Sequence, residues 1–295
     1  LDVERLSHYW DHLEPATGIL SGNLTSTGLL HQPRIQTDIS ISKGTLIGTP
    51  FSTFSLTASY DHEQIQGNAT IRREKGKSLV LSGTLGAAIV LQPFSLHLQK
   101  ESLDAVMRIN DLPLSVLPFP ASKEFSYDGR ITATINMSGD ITSPGLRGQM
   151  VISKGSFHIS NPPLSYNRIE AAVRILPDRL ILERMSLKDD QGGWLNLQGT
   201  LDHRDFRLTA INMTLTGQDT YVSFHPAISA KANLDLTLVG LLDASTLKGR
   251  LFVQEGKVDV DRFLADRPSD IEVIHSREEE GIITLPEEGE KGSPL

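Results

Sequence analysis

The chain has no cysteine among its 295 residues. That excludes disulfides, thiolate nucleophiles and cysteine-ligated metal sites. On its own the absence fits both a reducing cytosol and an envelope protein that avoids accidental oxidation. No run of eighteen or more apolar residues occurs, so no membrane-spanning helix is expected in this stretch. The opening "LDVERLSHYWDHLEP" carries acidic residues and no apolar h-region, so a secretory signal is missing too. The first residue is Leu1 rather than Met. The expectation is a piece of a longer protein, with targeting and anchoring segments outside it. Basic surplus is also lacking: 28 Lys and Arg stand against 36 Asp and Glu, a net charge of −8. Without a Lys/Arg cluster to displace counterions, nucleic acid is not an expected partner.

Reactive chemistry is equally hard to find. The nine histidines (His8, His12, His31, His62, His97, His158, His203, His225 and His275) show no HExxH or other metal-ligand spacing. His8 and His12 would share a helical face but lack a third ligand. "YDHE" around His62 and "DHRD" around His203 fall where the strand pattern breaks, which favours turns over acid/base chemistry. Asp189 and Asp190 precede "QGG" and read as a turn between strands. No GxSxG, P-loop or GxGxxG is present. The sequons at Asn23, Asn68, Asn136 and Asn212 lie in alternating segments, where Asn and Thr are wet-face residues. No catalytic residue, metal ligand or cofactor is predicted, and the chain is not expected to be an enzyme.

What the chain does have is alternation. Apolar residues make up 39% and charged residues 22%, enough for an ordered protein. In "RIQTDISIS", Ile35, Ile39 and Ile41 share one face and Gln36 lies on the other. In "RITATINMS", Ile131, Ile135 and Met137 oppose Asn136. In "NLDLTLVG", Leu234, Leu236 and Leu238 oppose Asp235. The same period of two runs through "FSLTASY", "IQGNATI", "FSLHLQ", "IEAAVRI" and "WLNLQGTL", and predicts strands with one greasy and one wet side. Helical periodicity is weak, confined to "DVERLSHYWDHL" and "DRFLADR". The nine apolar residues named above should line one shared surface. From the residues alone that surface could be covered by a facing sheet, as in a sandwich, or by something other than protein.

The alternation is organised in repeats. "GLLHQPRIQTDISISKG" (Gly28 to Gly44), "GDITSPGLRGQMVISKG" (Gly139 to Gly155) and "GLLDASTLKGRLFVQEG" (Gly240 to Gly256) each place two glycines 16 residues apart (44−28, 155−139, 256−240). Each has an apolar residue at the seventh step: Ile35, Leu146 and Leu247. All six glycines are expected in turns. A second echo links "SLVLSGTLG" with "GWLNLQGTLD". The spacings 139−28 = 111 and 240−139 = 101 give a unit of about a hundred residues and six strands, present nearly two and a half times. Three regions follow: a connector over 1–15 with some helical character, a repeating β region over 16–262, and an acidic linker or tail over 263–295.

"INDLPLSVLPF", "DGRITATINMSGDITSPGLRGQMVISKGSFHI" and "NPPLSYNRIEAAVRILPDRLILERMSLKDDQGGWLNLQGTLD" resemble the TamB-like family (translocation and assembly module), related to AsmA-like proteins of the bacterial envelope. Leu112, Pro113 and Leu114 match that family's "dLPL" element, and Ser138 with Gly139 its strand ending in "SG". Pro144, Leu146, Gly148 and Gly155 follow in frame. The resemblance spans roughly 15–262, departs around Thr246 in the third copy, and does not reach the tail. It implies an all-β fold: a long, mainly antiparallel sheet of repeats curled into an open groove, apolar inside and polar outside. It also implies phospholipid transfer or outer-membrane protein assembly, with phospholipid acyl chains as one partner. An Omp85-type assembly partner would be reached through regions outside this chain. The location implied is the periplasm, anchored to the inner membrane by a segment absent here. Ile35, Ile39, Ile41, Ile131, Ile135, Met137, Leu234, Leu236 and Leu238 then become lipid-groove lining. On that reading, Ile135→Asp would leave the fold intact and displace only the acyl chains. The competing readings are a structural or adhesive β-solenoid of a surface protein and a carbohydrate-active β-helix enzyme.

Overall fold

Strict alternation over stretches of thirteen to fifteen residues can bury one side of a strand only if neighbouring strands stack equal parities. The computed structural model describes residues 17–46, 49–73, 78–116, 125–160, 164–204, 207–225 and 227–261, and shows that outcome. The connector over 1–15 and the tail over 263–295 lie outside the described residues.

Among the described residues there are fifteen strands: β1 (Thr17–Leu29), β2 (Gln32–Leu46), β3 (Thr49–Asp61), β4 (Gln64–Arg72), β5 (Ser78–Leu91), β6 (Phe94–Leu98), β7 (Leu103–Pro113), β8 (Phe125–Gly139), β9 (Gly145–Ile159), β10 (Leu164–Ile175), β11 (Arg179–Asp189), β12 (Trp194–Arg204), β13 (Arg207–His225), β14 (Ile228–Leu241) and β15 (Ala244–Val258). All pair antiparallel in one sheet, in the order β1-β2-β3-β4-β5-β7-β8 and onward to β15, with β6 joined to β5 alone. A parallel β-helix needs parallel ladders, so the solenoid and β-helix readings fail here. β1 and β15 are not bonded to each other, so the sheet does not close into a barrel; it is an open, curled sheet.

The three sequence copies are three hairpins: β1–β2, β8–β9 and β14–β15. Along the sheet path the first unit contributes six strands (β1–β5 and β7), the second six (β8–β13) and the last two. The first unit is ten residues longer (111 − 101). The surplus is the end of β5 with β6, a hairpin that leaves the main sheet beyond Gly86. It runs across neighbouring turns and is pinned there at every second amide. Ala87 N–H donates to the Glu63 carbonyl at 2.8 Å and Leu91 N–H to that of Leu30 at 2.8 Å. Between them Ile89 N–H donates to Tyr60 Oη at 2.9 Å. The Glu63 turn is two residues long, with His62 at φ 47° and Glu63 at φ 59°. That geometry suits the twist of a tight hairpin.

The curl has a packing signature. A flat single layer leaves its apolar face in water, yet Ile131 is 1% exposed and Leu112 is 4%. These two, with Ile109, Ala133, Ile135 and Ile175, form a core cluster that also gathers Leu79 from β5 and Leu180 from β11. A second cluster joins Tyr166 and Ile169 of β10 to Leu187, Leu195 and, from β14, Leu234. The core is therefore the apolar face folded towards itself.

Candidate functional site

Register alone defines one face of the sheet. Cross-strand partners lie on the same side, and partners can be followed from one edge to the other: Leu20, Ile41, Phe54, Ile71, Leu79, Ile109, Ala133, Met150, Val173, Leu182, Gly199, Met213, Leu238 and Leu247. Every member is apolar except Gly199, which has φ 149°. A Cβ there would sit 2.1 Å from the Asn212 carbonyl oxygen, so glycine is required. A parallel row passes through Ile39, Leu56, Ala69, Leu81, Met107 and Ile135. On the other side Asn23, Asp38, Thr57, Asn68, Ser82, Val106, Asn136 and Arg147 align. A trough of about 610 Å³ is lined by Gln36, Asp38, Gln66, Asn68, Asp104 and their neighbours.

The nine residues picked from the alternation share the apolar side by this register. Their surroundings differ. Ile131, Ile135 and Leu234 are buried, whereas Ile35, Ile39, Ile41, Met137, Leu236 and Leu238 are half-buried. Gln36, Asn136 and Asp235 are exposed on the opposite side. One expectation changes as a result. Ile135 is 9% exposed within the core cluster, so an aspartate there would be an unpaired charge in packed protein and would disrupt the fold itself.

The glycines also need correction. Gly28 (φ 87°), Gly139 (φ 94°) and Gly240 (φ 143°) do sit at strand ends beside turns, in conformations that favour glycine. Gly44, Gly155 and Gly256 lie inside β2, β9 and β15 and have no positive φ. The left-handed residue is the lysine before, Lys43 and Lys154, each at φ 52°. Gly44 serves close packing instead: a Cβ there would meet the Phe51 ring at 2.4 Å and the Thr17 oxygen at 2.3 Å. At Gly155 the obstacle would be Ile169, at 2.8 Å. No such contact surrounds Gly256.

The carboxylates behave as turn chemistry. Asp189, 7% exposed, accepts from the amides of Gln191 (2.9 Å), Gly193 (2.8 Å) and Tyr221 (2.7 Å). It staples the β11–β12 turn to β13. Burial, and secondarily the Asp189 charge, pushes the Tyr166 hydroxyl up to about 12. That hydroxyl donates to the Tyr221 carbonyl at 3.4 Å. Asp140 is held below the usual carboxylate range by the Thr142 hydroxyl and amide in the β8–β9 turn. The alternation did not reveal the Asp189–Tyr221–Tyr166 link, because its members lie on different strands.

The family model of the TamB C-terminal domain matches residues 183–294. That span begins at Glu183 in β11, takes in the third sequence copy, and runs through the acidic segment that the motif resemblance did not reach. Neither curated proteins nor solved structures give a match. TamB-like proteins are envelope-associated components of transport and assembly. The open antiparallel sheet with its edge-to-edge apolar row agrees with that match, which covers the C-terminal part of the chain.

Proposed function

We propose that this chain is a stretch of groove that holds phospholipid acyl chains on its apolar side, as part of lipid transfer or outer-membrane protein assembly in the bacterial periplasm. The observation that supports this is the apolar row crossing fourteen strands, closed into core around Ile109 and Ala133 and open at the flanks, with no second sheet among the described residues. Uncovered apolar surface costs about 25 cal/mol per Å², and hydrocarbon chains remove that cost without needing directional groups. The reading accounts for a chain with much patterning and little reactive chemistry. Access is greatest at the flanks: Leu24 is 71% exposed, Leu247 63% and Leu251 42%. Organic extraction of the purified protein, followed by mass spectrometry, tests the proposal. Stoichiometric phospholipid is the expected result, and lipid-free protein from a membrane-containing lysate would sink it.

A further inference from the structure

The strands around β4 and β5 do not end level. β4 stops at Arg72 and β5 begins at Ser78, which pairs with Asn110. Beside them β2 and β3 run on past the Thr53–Arg72 pair to Gly44 and Phe51, and β7 and β8 run on to Pro113 and Arg130. Among the described residues the sheet margin is therefore notched. A cavity of about 740 Å³ occupies this place, lined by Lys43, Gly44, Thr45, Pro50, Phe51, Ser52, Arg73, Pro113 and Arg130. β2 and β8 are five strand spacings apart, about 24 Å if the sheet were flat, so the curl brings these cations around one space.

Charge sets this cavity apart in an acidic chain. Among the described residues that line it, three are cationic and none carries a carboxylate. Among the described residues, none of the three side chains is recorded in an ion pair or hydrogen bond. Elsewhere in the sheet cations pair with acids, as Arg34 does with Asp61 (3.2 Å) and Lys231 with Asp219 (3.7 Å). Like charges around one cavity repel, and an anion relieves them; arginine's fork suits phosphate oxygens in particular. The volume falls within the range of small-ligand sites.

The apolar face starts next to the cavity. Ile41 lies two residues before Lys43 and Ile71 two before Arg73, on the same strand faces. Two strand residues are about 7 Å. We propose that the notch binds a phosphate group, and that its natural source is the headgroup of an anionic glycerophospholipid whose chains lie on the apolar rows beside it. The lipid source rests on the groove reading above; phosphate recognition does not.

The test uses the full chain and three probes: dioleoylphosphatidylglycerol, dioleoylglycerol (the same chains without phosphate) and glycerol 3-phosphate (phosphate without chains). Binding is measured by native mass spectrometry and titration calorimetry. The triple variant Lys43→Gln, Arg73→Gln, Arg130→Gln is set against an equal charge change elsewhere, Arg147→Gln, Arg184→Gln, Lys248→Gln. Thermal melts confirm that both fold, and single Arg73→Glu serves if the triple variant does not. The expected result is about a tenfold loss of phosphatidylglycerol affinity in the notch triple alone, with dioleoylglycerol unaffected. If no variant or wild-type protein holds either lipid, but glycerol 3-phosphate binds and is lost in the notch triple, the phosphate site stands and the groove reading falls. If the notch triple matches wild type for both phosphate probes, or wild type binds neither, the proposal is overturned.

Discussion

Hairpins β8–β9 and β14–β15 grow from the same glycine-framed sequence, displaced by 101 residues, and their second strands end in opposite environments. Leu146 and Met150 of β9 pack against the central core cluster. Their counterparts Leu247 and Leu251 (146 + 101 and 150 + 101) are 63% and 42% exposed. Every residue of β15 is exposed, although the first strands match: β14 buries Ala230, Ala232 and Leu234 as β8 buries Ile131, Ala133 and Ile135. Side-chain chemistry does not explain the contrast, because both hairpins contribute apolar residues to the same rows. Neighbours do: β9 is bonded to β8 and β10, whereas β15 is bonded to β14 alone among the described residues. One repeated pattern thus acts as core where the curl closes over it and as open apolar surface where it does not.

Substitutions at matched places would break or sharpen that contrast, and the largest effect belongs to charge in the closed region. Ile135→Asp should cost several kcal/mol, as an unpaired buried charge does, and abolish the cooperative melt seen by circular dichroism. Leu247→Asp, on the open hairpin, should shift stability by no more than about 0.5 kcal/mol. Equal losses at both sites would mean that the two hairpins are equally packed. Next comes Ile131→Ala, where cavity formation should remove about 2–5 kcal/mol in a denaturant titration. Asp189→Ala leaves three amides without their shared acceptor and should cost about 1–3 kcal/mol; a neutral result would show that the β11–β12 turn is not stapled to β13.

The smallest effect is alkaline. Tyr166 keeps its proton up to about 12 in the folded chain, above the ordinary value near 10. The unfolded chain therefore releases that proton first, and stability contributed by the neutral hydroxyl is present below pH 10 and lost as pH rises from 10 towards 12. Tyr166→Phe should flatten that decline in melts recorded across this window. An unchanged decline would place the cause elsewhere.

Much of the architecture was legible because a strand records its two faces in its own residues. Ile35, Ile39 and Ile41 declare a side without reference to any other strand, and three spaced glycine frames declare the repeat. Closure was not legible. Whether Ile135 is core or lining depends on how tightly distant strands curl together, which no local pattern encodes. The same holds for Lys43, Arg73 and Arg130, which are spread across 87 residues (130 − 43) and line one cavity only in the folded sheet. "FSLHLQ" read correctly as a strand, but its departure from the main sheet depended on acceptors at Leu30, Tyr60 and Glu63 in other hairpins. The misread glycines share this cause: Gly44 and Gly155 make room for Phe51 and Ile169 on neighbouring strands, while the turn-like backbone falls on Lys43 and Lys154.

The most direct test of the groove uses both sides of one strand in a living envelope. A photoreactive benzoylphenylalanine placed at Leu236 or Leu238 of β14, and separately at Asp235 or Thr237, would be irradiated in cells and the adducts analysed by mass spectrometry. Phospholipid adducts at Leu236 and Leu238, with none at Asp235 and Thr237, is the result the account predicts. Adducts on both sides alike, or none on the apolar side while the protein remains folded, would contradict it.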